Sequence, residues 1–241
     1  MAAADVVLGV LATVLPFYLG LATFQLQAVR RHPQGMLFLA TGMSFYFLFD
    51  GFVDSTELGV ALGYYGGLLP LVLIAAFGGT FLLLAFTRRG PSYAWPLWII
   101  ALGISIHSFA EANDLANAAP LYFSNLNAVL PDAASFVIHK FLEGLVLAAA
   151  ATIFGASRLR QVALAGTPMV LVGLAGSLSS LLPLGLSPFI AAGVGGWMAV
   201  TLALASRLDR DARPALFLLL IVGFVIVYSA TLLHYTGLAA G

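Results

Sequence analysis

The chain has 241 residues, of which 61% are hydrophobic and 8% are charged, and its formal net charge is zero. Soluble domains contain about 25% charged residues, so this chain lacks the polar surface of a water-soluble protein. The neutral charge balance argues against nucleic acid as a partner, and a chain without cysteine cannot form disulfides or thiolate metal sites.

Eight apolar runs are long enough to be transmembrane helices, which need about 20 predominantly apolar residues. None of them alternates with the two-residue period of an outer-membrane strand. We therefore predict an all-α integral membrane protein that forms a single transmembrane domain over residues 1–241. The predicted helices cover residues 5–28, 35–55, 63–86, 94–113, 132–154, 162–182, 187–206 and 214–235.

The first predicted helix follows Met1–Asp5, a segment without basic residues. A secretory signal peptide has a positively charged region before a shorter apolar segment. We therefore expect the first helix to be retained as a membrane span rather than cleaved.

The second predicted helix contains the acidic residues Asp50 and Asp54 in its later half, and Glu57 lies just beyond its end. Asp54 and Glu57 are either solvated residues at the membrane surface or an outer entrance that attracts cations. Asp50 either lines a site or is a polar group whose hydrogen bonds are satisfied in a cavity.

The fourth and fifth predicted helices each contain a histidine and a glutamate four residues apart, at His107 and Glu111 and at His139 and Glu143. This spacing places each pair on one helix face. Imidazole and carboxylate are ligands for divalent cations, and ionisable groups are costly to bury in a membrane, so they usually serve a function. Polar contact between helices would explain one pair, but two pairs at matching depth predict a four-ligand metal site.

Ser108 and Lys140 follow the two histidines directly. Ser108 is either a further ligand or a helical serine that bonds a backbone carbonyl. A protonated lysine has no lone pair for a metal, but Lys140 can take the place of a second cation and pair with Glu143 or Glu111. We therefore predict a one-metal site with a built-in positive charge.

Basic residues predict the orientation of the helices. The positive-inside rule makes the loops after helices one, three, five and seven cytoplasmic and places both termini outside. Helices one to three then begin outside and helices six to eight begin inside, which is the order of a 3+2+3 inverted repeat. Nine of the ten basic residues lie in these four loops: Arg30, Arg31, Arg88, Arg89, Arg158, Arg160, Arg207, Arg210 and Arg213.

Three segments resemble motifs of the ZIP (Zrt/Irt-like) family of divalent metal transporters. Phe136–Leu145 looks like the fifth-helix motif, Ile106–Glu111 is similar to the fourth-helix motif, and Phe38–Asp50 resembles the start of the second helix. The eight helices and the outer termini match the fold of that family. The resemblance implies transport of zinc, iron or manganese toward the cytoplasm, by an elevator-like movement of one helix bundle against another. The implied ligands are His107, Glu111, His139 and Glu143.

The chain departs from the family pattern at three places. Ala110 and Leu142 stand where a proline often precedes the glutamate, which weakens the expected helix kink. The loop of residues 87–92 lacks the histidine-rich segment of many members. Lys140 occupies a position at which members with a two-metal centre have a metal ligand.

We therefore expect a divalent-cation transporter, with zinc as the first choice, rather than an enzyme, and we expect no prosthetic group. The short loops and the lack of cysteine favour a prokaryotic plasma membrane, where lipid is a further partner and a homodimer is compatible with the sequence. A membrane-embedded zinc hydrolase with Glu111 or Glu143 as its base is the main alternative. A b-type haem protein with His107 and His139 as axial ligands is the second.

Overall fold

The structure is a computed structural model that describes residues 3–23, 26, 31–61, 68–80, 83, 98, 101–113, 115, 126–153, 166, 169–171, 173–178, 183–209 and 211–239. Every regular element within these ranges is helical. In chain order the helices are α1 (Ala3–Thr23), α2 (Pro33–Ala61), α3 (Leu68–Leu73, continued by a π-helical turn at Ile74–Gly78), α4 (101–113), α5 (Leu126–Ile153), α6 (169–171 and 173–178), α7 (Pro183–Ala205) and α8 (Pro214–Ala239).

Four of these helices contain a stretch that is long and apolar enough to cross a membrane. The stretches are Pro33–Glu57, Ala133–Thr152, Pro188–Ala205 and Pro214–Leu233. Shorter apolar stretches occur in α1 and α6. The prediction of a helical membrane protein is confirmed at this level, and each of the eight described helices overlaps one predicted run.

Several helices extend beyond their predicted boundaries, α2 and α5 by the largest margin. α2 continues to Ala61 and α5 begins at Leu126, whereas the apolar runs predicted an end at residue 55 and a start at residue 132. Hydropathy marks where a helix leaves the hydrocarbon, but helical hydrogen bonding continues into the polar surroundings beyond that level. Glu57 lies in such an extension and is exposed.

The basic residues that predict orientation are only partly within the described ranges. Arg31 lies two residues before the start of α2, and Arg207 and Arg213 lie in the connection between α7 and α8. The structure therefore gives positions for these three of the nine arginines that predict cytoplasmic loops. The other basic loop residues lie outside the described ranges: Arg30, Arg88, Arg89, Arg158, Arg160 and Arg210.

Two glycines bring α1 and α5 close together. A Cβ atom at Gly20 would overlap the backbone of Phe141, and one at Gly144 would overlap the backbone of Phe17. Helices in membranes associate largely by close packing across small residues, because lipid removes the hydrophobic driving force between them. α1 is therefore held against α5 along the segment that contains Glu143.

α5 lies at the centre of the described helices. It contacts α1, α2, α7 and α8, and the Ser135 hydroxyl donates a hydrogen bond to the Ala230 carbonyl of α8 at 2.7 Å. Residues 142–151 of α5 are all buried. A polar group in this part of α5 therefore faces protein rather than lipid.

α2 packs between α7 and α8. The Thr201 hydroxyl of α7 donates a hydrogen bond to the Ser44 carbonyl of α2 at 3.2 Å. α8 covers another side of α2, and its outer face exposes large apolar side chains such as Phe217, Leu218 and Ile221. Such a face is suited to hydrocarbon rather than to water.

Candidate metal centre

The packing of α4 against α5 brings the two predicted histidine–glutamate pairs together. Glu111 Oε1 lies 3.9 Å from His107 Nε2 and 3.7 Å from His139 Nε2. Glu143 Oε1 lies 3.4 Å from the same His139 nitrogen. One donor atom from each of His107, Glu111 and Glu143 falls within 4.8 Å of the others. Three of the four predicted ligands therefore form one compact donor group, and His139 adjoins that group through its approach to both glutamates.

The separations between these donors suit a divalent ion. Zinc forms bonds of about 2.0–2.2 Å to imidazole nitrogen and carboxylate oxygen, so two ligands at a tetrahedral angle are about 3.4 Å apart. The three contacts between histidine nitrogen and carboxylate oxygen measure 3.4, 3.7 and 3.9 Å.

Two donors at this centre are buried and lack hydrogen-bond partners within the described part of the chain. They are His139 Nε2 and Glu143 Oε1, which approach each other without the geometry of a hydrogen bond. A buried polar atom without a partner costs about 1–3 kcal/mol, so such atoms are uncommon and need an explanation. A cation between the two atoms would satisfy both.

Lys140 binds the opposite side of both carboxylates. Its Nζ donates hydrogen bonds to Glu143 Oε2 at 2.7 Å, to Glu111 Oε2 and to Ser108 Oγ at 2.9 Å. Ser108 in turn donates to the Ile104 carbonyl at 3.4 Å. The predicted pairing of Lys140 is thus made with both glutamates, and Ser108 contacts the backbone and the ammonium group.

The centre is exposed on one side. The Lys140 and Glu143 side chains are fully buried, whereas 19% of the Glu111 side chain and 13% of the His139 side chain are exposed. The centre is therefore open beside Glu111 and His139 and closed beside Lys140 and Glu143.

The acidic residues of α2 approach the open side. Asp50 accepts a hydrogen bond from Tyr46 and interacts electrostatically with His139 and His107. Asp54, one turn further along α2, interacts electrostatically with Asp50 and with Glu111. The structure thus places Asp50 and Asp54 beside the centre, while Glu57 is an exposed residue beyond them.

An aromatic pair begins one helical turn before Asp50 along α2, on the side of Asp50 opposite Asp54. The Phe47 ring packs edge-on against His139, with centroids 4.8 Å apart, and stacks on the Trp197 ring of α7 at 4.5 Å. Both aromatic residues are almost completely buried. Phe47 lies between Asp50 and Ser44 along α2.

Gly193 of α7 packs directly against His107. A Cβ atom at this position would overlap the His107 Cβ and approach its Nδ1 to 2.8 Å. Only glycine therefore allows α7 to approach α4 at this level without moving the imidazole.

The sequence prediction omitted Tyr46, Phe47, Trp197 and Gly193. Tyr46 and Phe47 had a usable signal, since they lie four and three residues before Asp50 and share its helix face. Trp197 and Gly193 had none, because their role depends on which helix packs beside α4 and α2.

Comparison of the chain with protein-family models, with curated proteins and with solved structures finds no match. The functional interpretation therefore rests on the geometry of the centre and on the resemblance of its motifs.

Proposed function

We propose that the protein is a ZIP-like transporter that moves a divalent cation, with zinc as the first choice, across a plasma membrane toward the cytoplasm. One observation is the main support: two adjacent helices bring His107, Glu111 and Glu143 into one compact donor group, His139 adjoins it, and buried donor atoms there lack partners. The resemblance of the same residues to the ZIP motifs also supports it.

The ligand set is suited to transport. A transported ion must lose water on binding and must also leave again, so its ligands must be of intermediate strength. Imidazole and carboxylate meet this demand for zinc, iron or manganese, without the tighter grip of thiolates. Lys140 also binds both carboxylates. Its ammonium repels the metal ion, so the ion should bind more weakly than it would without Lys140.

We further propose eight transmembrane helices in a 3+2+3 inverted repeat, with both termini outside. Support comes from the eight described helices, which overlap the eight apolar runs, and from the basic residues in alternate loops. In this orientation the Glu57 end of α2 faces outward. Asp54 and Glu57 then form the outer entrance, and Asp50 lies between them and the centre.

The two alternative functions have less support. Haem needs its axial imidazoles on opposite faces of a macrocycle, but the His107 and His139 nitrogens lie within 4 Å of one carboxylate oxygen. A hydrolase needs a carboxylate beside the metal-bound water that is free to act as a base, whereas Glu111 and Glu143 both bind Lys140.

Uptake of zinc into proteoliposomes tests the proposal. Purified protein should carry zinc into vesicles that contain a metal-sensitive dye, faster than protein-free vesicles do. If the protein takes up neither zinc nor iron nor manganese, the proposal of transport is rejected. A visible Soret band in the purified protein would instead favour the haem alternative, and metal-dependent hydrolysis of a peptide or ester would favour the hydrolase.

Gly193→Ala should weaken zinc binding by about tenfold or more, because groups that orient a ligand typically contribute 10–100-fold to metal affinity. The added methyl group would push His107 out of position. Isothermal titration of the purified protein with zinc measures the change. Gly79→Ala is the matched control, since a Cβ atom there meets nothing within 4 Å. Equal zinc affinity in the two variants would contradict the packing argument.

A further inference from the structure

Lys140 has the surroundings of a bound metal ion. Its Nζ has three oxygen partners from two helices, Ser108 Oγ, Glu111 Oε2 and Glu143 Oε2. Two of the three are carboxylate oxygens, and the side chain is fully buried. Oxygen sites of this kind, rich in negative charge, are what hard divalent cations prefer.

The two glutamates divide their oxygen atoms between two positions. Glu111 Oε1 and Glu143 Oε1 point toward the histidines, while Oε2 of each residue binds the ammonium. A carboxylate that binds one cation through each oxygen bridges them, as carboxylates do in two-metal sites. The centre therefore has the layout of a bridged pair of cation positions.

We infer that Lys140 permanently occupies the second position of this pair, so that the protein binds a single divalent ion between the histidines and the glutamates. The inference deepens the proposed function, because it assumes that the histidine side is where the ion binds. Lys140 is covalently attached to α5 and adjoins His139, so its ammonium cannot diffuse away as a metal ion could.

The charge of the centre shows what this arrangement achieves. Counted by themselves, Glu111, Glu143 and Lys140 carry a net charge of about −1 before an ion binds and about +1 afterwards. Without the ammonium the starting charge would be about −2, which would attract a divalent ion more strongly and leave room for another. Lys140 therefore limits both the number of bound ions and their affinity.

The surroundings of Lys140 stabilise an ammonium group in place. The Phe136 ring lies one turn before Lys140, with its centroid 5.9 Å from Nζ, which is close enough for a cation–π contribution. Removal of one member of a buried ion pair is strongly unfavourable. The three oxygen contacts and the ring therefore hold the ammonium where it is.

Two substitutions separate the charge of Lys140 from the space that it fills. Lys140→Met removes the charge but keeps a long side chain, so one zinc ion should bind, about tenfold or more tightly than in the native protein. Lys140→Asn removes the charge, vacates the position and supplies an oxygen ligand, so two zinc ions should bind. Equilibrium dialysis of the purified protein against zinc, followed by elemental analysis, measures the number of bound ions and their affinity, and thermal unfolding verifies that each variant is folded.

Cobalt provides a second readout in the same variants. The native protein and Lys140→Met should each show the absorption of one tetrahedral cobalt ion, and Lys140→Asn should show a second component at two equivalents. Two zinc ions bound to the native protein, both lost in Glu111→Gln, would overturn the inference. So would a single ion in folded Lys140→Asn, or unchanged affinity in folded Lys140→Met.

These results can be told apart from failure of the proposed function. The predicted ion numbers with no zinc uptake by the native protein in vesicles would reject transport and leave the role of Lys140 standing. Normal uptake together with two ions in the native centre would reject the role of Lys140 and leave transport standing.

Discussion

Glu143→Gln should reduce zinc uptake into proteoliposomes by about 100-fold or more, since loss of one charged ligand worth about 3 kcal/mol corresponds to that factor. Glu143 is fully buried between two partners, with Oε2 2.7 Å from Lys140 Nζ and Oε1 facing His139. The carboxylate can bind Lys140 and face His139 at the same time because both of its oxygens are acceptors.

The amide of Glu143→Gln can serve only one side. Its oxygen must turn to the Lys140 ammonium, since an NH₂ group beside an ammonium would leave a buried charge without its partner. The NH₂ group then faces the histidines, where its hydrogens oppose a cation. The hydrogen bond between residues 140 and 143 within α5 is kept while the metal ligand is lost, so uptake should fall without loss of the fold.

Zinc uptake and zinc titration of the same preparation measure this effect. Asp211→Asn is the matched control, because it makes the same change from carboxylate to amide at an exposed residue between α7 and α8. His139→Ala should also abolish uptake, through loss of the nitrogen that faces both glutamates. Uptake by Glu143→Gln within about threefold of the native rate would exclude Glu143 as a ligand, since loss of a charged ligand should cost far more.

The helices and the ligand pairs could be predicted because each depends on local pattern. Apolar length predicts a membrane helix, and an interval of four residues predicts a shared helix face. His107 with Glu111 and His139 with Glu143 meet both conditions. The contact between the pairs also followed from the sequence, since consecutive helices are usually neighbours.

The walls of the centre could not be predicted, because they come from helices distant in sequence. Trp197 stacks on Phe47 across 150 residues of chain, and Gly193 packs on His107 from another helix. A buried aromatic residue and a glycine occur in many membrane helices for packing alone. Their position beside the centre depends on the packing of α7 against α2 and α4, which periodicity does not encode.

The sequence also left open which glutamate Lys140 would contact. The interval of three residues to Glu143 allowed one pairing, and the approach of α4 allowed the other with Glu111. The structure has both, because Nζ has three hydrogens to donate and lies between the two helices. The resulting division of carboxylate oxygens depends on side-chain geometry and was therefore beyond the sequence.

Phe47→Ala should open a route from the outer side of the centre to Ser44. Phe47 and Trp197 form a stacked pair across α2 and α7, and the Thr201 hydroxyl bonds the Ser44 carbonyl beyond it. Asp50 and Asp54 lie on the opposite side of the pair and are partly exposed. In the proposed orientation, we therefore expect the aromatic pair to form a barrier on the inner side of the centre.

Single introduced cysteines can measure this barrier, because the chain has no cysteine of its own. In vesicles, Asp54→Cys should react rapidly with a membrane-impermeant thiol reagent added from the outer side. Ser44→Cys should react little, since Ser44 is fully buried. Addition of Phe47→Ala should raise the rate at Ser44→Cys by about tenfold or more, because the rings that exclude water and reagent are no longer stacked.

Phe38→Ala in the same Ser44→Cys background distinguishes a barrier from general loosening. Phe38 is also a buried phenylalanine of α2, but its ring packs edge-on against Phe217 of α8, 5.0 Å away, and not against Trp197. Both substitutions leave a comparable cavity, so both should destabilise α2 by about 3–5 kcal/mol if α2 behaves as a soluble core does. If labelling rises only with Phe47→Ala, the aromatic pair is the barrier that must separate before an ion reaches the inner side. An equal rise with Phe38→Ala would mean that any loss of packing in α2 admits the reagent, and the aromatic pair would then have no specific role in transport.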